Sequence, residues 1–286
     1  MTGRRIAFLI DGGFFLKRLP KLVPPRDCDS PERIAVSLRR LCRTHVTKLT
    51  GATADQWIES VYRIFYYDAV PYDGVAHHPI LNRQIDFAKS DVARDRLALF
   101  DCLRKQRKFA LRLGKVNREH DWAIAPALTK KLLRNRHALQ ALAQLPDSDT
   151  PQGDLRTELV LTPAQHRELV ALRDLWLGID DSAVVLGLRQ KGVDMRIGVD
   201  IASLALKKHV DTIVLVAGDS DFVPAAKLAR REGIDFILDP LWQNVNADLF
   251  EHIDGLQSGM PRPNATNNGA HPAAPATIDT EQNHGP

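Results

Sequence analysis

Cysteine is scarce in this chain. The three present, Cys28, Cys42 and Cys102, are odd in number, widely spaced and without a CxxC pair, which excludes a disulfide framework and a zinc ribbon and fits a reducing cytoplasm. Long apolar runs are missing too: after a basic start the chain is apolar only from Ile6 to Ile10 before Asp11. That is too short for a signal-peptide core or a membrane span, so no membrane partner is expected. Neither GxxxxGK[ST] nor GxGxxG occurs, which removes P-loop and dinucleotide-binding readings. There is no RRM or KH signature and no pattern of stacking aromatics. Tyr66, Tyr67 and Tyr72 are tyrosines on which bases could stack, but strand propensity and core packing explain the first two equally well. A strong charge imbalance is lacking as well. The net charge is +4, and because one basic and two acidic residues lie from 255 onward, the body holds 38 basic against 33 acidic residues. Such a surplus is compatible with a phosphate-bearing partner without identifying it.

What is present is a core-forming composition, 44% apolar over 286 residues, enough for one large α/β domain or two small ones. Ile6 to Ile10 and Ile213 to Ala217 are continuous apolar runs closed by Asp-Gly-Gly and Gly-Asp-Ser-Asp, as buried strands of a parallel sheet would be. Val61 to Tyr67, Phe109 to Val116 and Ile234 to Leu238 complete about five strands. Helical patterns over Pro31 to Leu49, Leu81 to Arg107, Ile197 to Lys208 and Phe222 to Glu232 separate them, the last with Gly233 in the place of a C-terminal cap. The alternation predicts a doubly wound α/β fold. A helical insertion at about 118–182 interrupts a domain spanning 1–254. Its first helix repeats Leu128, Leu132, Leu139 and Leu142, and its second starts at an N-cap, Thr162, followed by Pro163. Lys130, Lys131, Arg134 and Arg136 either line a strand-guiding groove or form a solvated helix face. Residues 255–286, rich in Pro, Gly, Asn, Ala and Thr, are expected to form a disordered tail.

Loops at the carboxyl ends of strands share one crevice in an open α/β sheet. Asp11 and Asp219 sit at such ends, and two carboxylates held there repel unless a cation lies between them. Hard oxygen donors of this kind suit Mg²⁺ or Mn²⁺. Asp194, ahead of a helix expected to begin near Arg196, and Asp221, ahead of Phe222-Val-Pro224, each allow a second reading as an N-cap. Asp11 allows a second reading as a turn residue before Gly12-Gly13, and Asp68 is either a fifth carboxylate or a surface turn residue.

Ile10-Asp-Gly-Gly13, Lys191-Gly-Val-Asp-Met195 leading into Val199-Asp-Ile201, and the run from Asp211 through Gly218-Asp-Ser-Asp-Phe-Val223 together resemble NYN domain proteins of the LabA/DUF88 type. The resemblance implies a PIN-like parallel sheet with clustered aspartates, a divalent metal and ribonuclease activity on RNA, with catalytic and metal-binding roles at Asp11, Asp194, Asp219 and Asp221. Asp200, six residues beyond Asp194, is expected on another helix face as a supporting or structural residue. One departure is Phe14, where many such sequences carry Asn. The mechanism expected is attack by a metal-activated water on an RNA phosphodiester. Arg189, Lys191 and Arg196 are candidates for phosphate contacts or ordinary surface charge. None of the ten histidines lies at a motif apart from His209, read as a helix-end residue. Two rivals stand beside this one. A HAD-type phosphohydrolase would explain Gly218-Asp-Ser-Asp221 but needs an acid where Gly13 stands. A catalytically silent RNA-binding or protein-interaction module of the same fold would use the insertion to dock a partner or a second copy of the chain.

Overall fold

The computed structural model describes residues 3–145 and 158–263. In chain order the elements are β1 (Ile6–Asp11), α1 (Gly12–Arg18), α2 (Pro31–Thr50), β2 (Val61–Val70), β3 (Val75–His78), β4 (Arg83–Asp86), α3 (Asp91–Arg104), β5 (Phe109–Ile124), α4 (Pro126–Asn135), α5 (Pro163–Leu177), β6 (Val184–Lys191), α6 (Val193–Leu206), β7 (Thr212–Val216), α7 (Val223–Arg231), β8 (Asp235–Asp239), α8 (Ala247–Glu251) and β9 (Gly255–Leu256). They form an α/β fold, consistent with a PIN-like architecture, around a seven-stranded sheet ordered β6-β5-β2-β1-β7-β8-β9, with β3 and β4 as a separate antiparallel pair. The sequence reading of about five strands lacked β6 and β9 from this sheet. Val184–Lys191 mixes Gly187, Arg189 and Gln190 into its apolar run, and Gly255–Leu256 is two residues long.

The chain divides into two compact units. The first contains 1–74, 87–117 and 190–286, the second 75–86 and 118–189. In the first, β1 is the central strand and pairs in parallel with β2 and with β7, so strand order reverses beside it. Alternate residues of β1 serve opposite cores, as a pleated strand requires. Ile6, Phe8 and Ile10 pack with Leu38, Leu41 and Phe100 from α2 and α3. Ala7 and Leu9 pack with Ile197, Ile201 and Ala226 from α6 and α7. Helix ends follow local chemistry: Ser30 caps α2 before Pro31, Gly51 at φ 70° ends that helix, and Gly233 at φ 78° follows α7.

The helix expected over Leu81 to Arg107 is shorter. Arg83–Asp86 pairs with β3, and α3 begins only after Ser90, whose hydroxyl accepts the Ala93 N–H. The C-terminal boundary also moves. The disordered tail was expected from 255, but Gly255–Leu256 forms β9 and Met260 is buried. Backbone donors and a buried polar clasp replace the missing apolar run. His45 bridges Asp239 at 2.8 Å and Gln257 at 3.0 Å, and the Gly259 N–H donates to Asp239 at 2.8 Å. A β-carbon on Gly259 would stand 2.7 Å from the Leu41 carbonyl, so only glycine fits this approach. The remainder of the expected tail, 264–286, lies outside the described residues.

The second unit holds the β3–β4 pair, α4, α5 and the outer parts of β5 and β6. Its small core is Leu132, Ala138 and Leu172, flanked by Ile124, Leu128 and Leu169. Thr162 and Gln165 form a reciprocal capping box at the start of α5, the local logic expected from Thr-Pro.

Candidate metal and nucleic-acid site

Asp11 ends β1 and caps α1, its Oδ1 accepting the Phe14 N–H at 3.0 Å. The turn it was read to make is therefore the start of a helix. Gly12 is required here, because a β-carbon would lie 2.6 Å from the Tyr66 ring and 2.8 Å from the Tyr67 carbonyl. Asp219 follows β7, the strand next to β1, and its Oδ1 accepts the Asp221 N–H at 3.1 Å across a 3₁₀ turn, Ser220–Phe222. Asp221 does not cap α7, whose N-cap is Phe222. Nor is Asp194 an N-cap. The cap of α6 is Gly192 at φ 78°, and Asp194 sits in the first turn, two residues ahead of the expected start near Arg196.

Electrostatics tie these carboxylates together. Burial, followed by the negative charges of Asp194 and Asp68, raises the Asp11 pKa against the N–H groups of Phe14 and Gly13 that lower it. Burial, followed by Asp219 and Asp221, raises that of Asp194. Asp194 therefore links Asp11 with the Asp219–Asp221 turn. None of the four makes an ion pair among the described residues. Their oxygens are not drawn into a tight cage. Among the described residues the one group of three or more potential ligands within 4.8 Å of one another is Asp248, Glu251 and His252 on and after α8. Within that group His252 lies 3.7 Å from Asp248, and the group stands on the surface at α8 with both carboxylates exposed.

Asp68 is buried at 1% exposure and is no surface turn residue. Asp11 faces Tyr67 across β1 and β2, so Asp68 lies one residue past that level. It accepts from Arg96, from the Ala69 N–H at 2.8 Å and from the Tyr66 hydroxyl at 3.3 Å. Its lone pairs are thus engaged by the protein. Asp200 is likewise engaged, accepting from the Tyr67 hydroxyl at 2.7 Å and Arg112 at 3.0 Å. Tyr66 and Tyr67 are fully buried and offer no face to a base, while Tyr72 packs edge-on against Phe87. His209 stacks on Tyr62.

Phe14 packs where a polar residue was wanting. A β-carbon on Gly218 would meet its ring at 2.5 Å, so the glycine before Asp219 makes room for the phenylalanine. A side-chain amide stands near Gly13 instead: a β-carbon there would lie 3.4 Å from Asp11 Oδ1 and 3.8 Å from Gln190 Oε1. Sequence reasoning missed Gln190 and Arg96, because no local spacing connects them with Asp11 or Asp68. Of the cations proposed for phosphate, Arg196 donates to the Gly192 carbonyl at 2.9 Å and Arg189 lies 3.6 Å from Glu119.

Residues 155–247 match the NYN domain family. That stretch contains Asp194, Asp219 and Asp221, with Asp11 ahead of it. No curated protein and no solved structure matches the chain. With the parallel sheet and the acidic strand ends in place, the match identifies an NYN domain in this chain over residues 155–247, a domain of the PIN-like superfamily.

Proposed function

We propose that this chain is a divalent-metal-dependent ribonuclease whose cation is held by Asp11, Asp194, Asp219 and Asp221. The observation that carries the reading is a set of coupled carboxylates at the reversal point of the sheet, none ion-paired among the described residues. The donor set fits Mg²⁺ or Mn²⁺. These ions take hard oxygens, and Mg²⁺ keeps several waters while binding one or two carboxylates directly. Carboxylates farther apart than a closed cage can therefore share one hydrated ion. Burial raises the pKa of Asp11 and Asp194 first and neighbouring carboxylates raise them further, the second part being negative charge that a cation would relieve.

When bound, the cation supplies Lewis acidity for in-line hydrolysis of a phosphodiester and neutralises its charge. The chain supplies position. Phe14 and Gly13 N–H groups fix Asp11, the Asp221 N–H fixes Asp219, and α6 holds Asp194 in its first turn. Gln190, whose amide oxygen comes near Gly13, is the proposed source of a polar contact on this side of the site. Lys191 and Arg189 are the proposed outer phosphate contacts, whereas Arg196 closes the turn before α6. RNA is chosen as substrate from the NYN domain, here of the LabA/DUF88 type. The thiols, all unpaired, suit a cytoplasmic setting.

Single-stranded and structured RNA incubated with the purified chain and Mg²⁺ or Mn²⁺ should be cleaved. Cleavage that persists in EDTA, or in both Asp11→Asn and Asp219→Asn, overturns the proposal. Phe14 packed on Gly218 favours a second reading, a silent RNA-binding or protein-docking module. RNA binding without metal and no turnover with it would establish that alternative.

A further inference from the structure

Exposed arginines on this chain commonly pair with an acid close by in sequence. Arg94 does so with Asp91 and Asp95, Arg104 with Asp101 and Arg173 with Asp174. Arg33 and Arg43 of α2 stand outside this habit in the first unit, and in the second unit a whole cluster does. Between Ala125 and Leu145 there is no Asp or Glu, yet Lys130, Lys131, Arg134 and Arg136 fall within it. All four are exposed, and none makes an ion pair among the described residues.

Helix geometry gathers them. Successive residues of a helix turn by about 100°, so Lys130, Lys131 and Arg134 occupy one sector of α4. Leu128 and Leu132 point the other way, toward Leu169 and Leu172 of α5. After α4 the 3₁₀ segment Arg136–Gln144 continues the surface. There Arg134, Arg136 and His137, with Leu133 at 60% and Leu139 at 50% exposure, line an open concavity of about 500 Å³. One acid reaches this surface from α5, Glu168 at 3.4 Å from His137, and the four Lys and Arg side chains keep their charge unpaired among the described residues. Like charges held together gain from a polyanion. The exposed leucines and guanidinium planes add a surface on which an unstacked base can rest, which single-stranded RNA presents and an acidic peptide does not.

We infer that the α4 face and the concavity following it bind single-stranded RNA, the cations taking backbone phosphates and the concavity one base. The choice of RNA rests on the ribonuclease reading and deepens it.

The test uses the full chain carrying Asp219→Asn, in EDTA, titrated against a fluorescein-labelled single-stranded RNA over a salt series. Each phosphate contact to a single strand contributes about 0.7 to the slope of log K against log salt. Replacing Lys130, Lys131, Arg134 and Arg136 with Ala should flatten the slope by about 2 to 3 and weaken binding at least about tenfold at moderate salt. Circular dichroism and Tm check that the variant is folded, and Lys130→Arg with Lys131→Arg should retain binding. Replacing the paired Arg94, Arg104 and Arg173 with Ala removes comparable charge and should leave the slope nearly unchanged. Failure of the parent to bind, an unmoved slope in the quadruple variant, or equal loss in the control overturns the inference. So does an acidic peptide that binds this face more tightly than RNA. A chain that binds through this face but never cleaves would sink the nuclease reading and leave the surface standing.

Discussion

Beside the central strand, the same residue type is treated in two opposite ways. On the β2 and β5 side, Asp68 holds Arg96 and the Tyr66 hydroxyl, and Asp200 holds Arg112 and the Tyr67 hydroxyl. Each negative charge there has its own cation, supplied from α3 or β5. On the side of β7 and the first turn of α6, Asp194, Asp219 and Asp221 have no such partner among the described residues, and Asp11 between the two sides is coupled to both. A fold that neutralises carboxylates so readily on one side of β1 leaves those on the other for something from outside. The contrast separates the proposed ligands from the scaffold more sharply than exposure does.

Four experiments would break or sharpen that contrast. The largest effect is expected for Arg96→Ala. Removing one partner of a buried pair leaves an uncompensated charge and costs about 3 kcal/mol, measured as loss of stability in urea. An Arg96→Ala chain as stable as the parent would mean that Asp68 is not held by the pair and belongs with the ligands. Gly218→Ala comes next, since its methyl would meet the Phe14 ring at 2.5 Å. Overpacking of this kind costs about 1 to 3 kcal/mol, and cleavage should fall with it because Asp219 is the next residue. Arg112→Ala should cost less, about 1 kcal/mol, as that arginine is 42% exposed.

The smallest effect has the opposite sign. Burial and the neighbouring aspartates raise the pKa of Asp194. A carboxyl whose folded pKa lies above its unfolded one destabilises the fold when ionised, and the penalty fades as pH falls through the folded value. Asp194→Asn should therefore raise Tm by a few degrees in EDTA at neutral pH, while weakening Mg²⁺ binding. The difference in Tm from the parent should shrink as the solution is acidified. A variant less stable than its parent at neutral pH would place Asp194 among the scaffold carboxylates.

The strand ends were legible because burial is written in continuous apolar runs. Ile6–Ile10 and the run after Thr212 announce themselves, and with them Asp11 and Asp219. The caps at Thr162 and Gly233 are equally local. Asp68 was misjudged because its burial depends on Arg96, twenty-eight residues on, and on a register with β1 that no spacing reveals. Gln190 escaped notice since β6 mixes polar and apolar residues and hides its strand character. Gly192 takes the capping position that was the second reading of Asp194, through a left-handed backbone conformation open to glycine at little steric cost. The order of residues 255–260 rests on the His45–Asp239 clasp, whose members lie 194 positions apart.

The pairing of β1 also sets a timetable. Its residues 6–10 pair with β2 on one side and with Thr212–Val216 on the other, so β1 waits for its second partner until about 200 residues later. At about 5 to 20 residues per second that interval is on the order of 10 to 40 s, and the whole second unit is synthesised within it. The acidic crevice needs Asp11 beside Asp219 and has no earlier form. A nascent chain is thus without its crevice until residues 212–221 have been made.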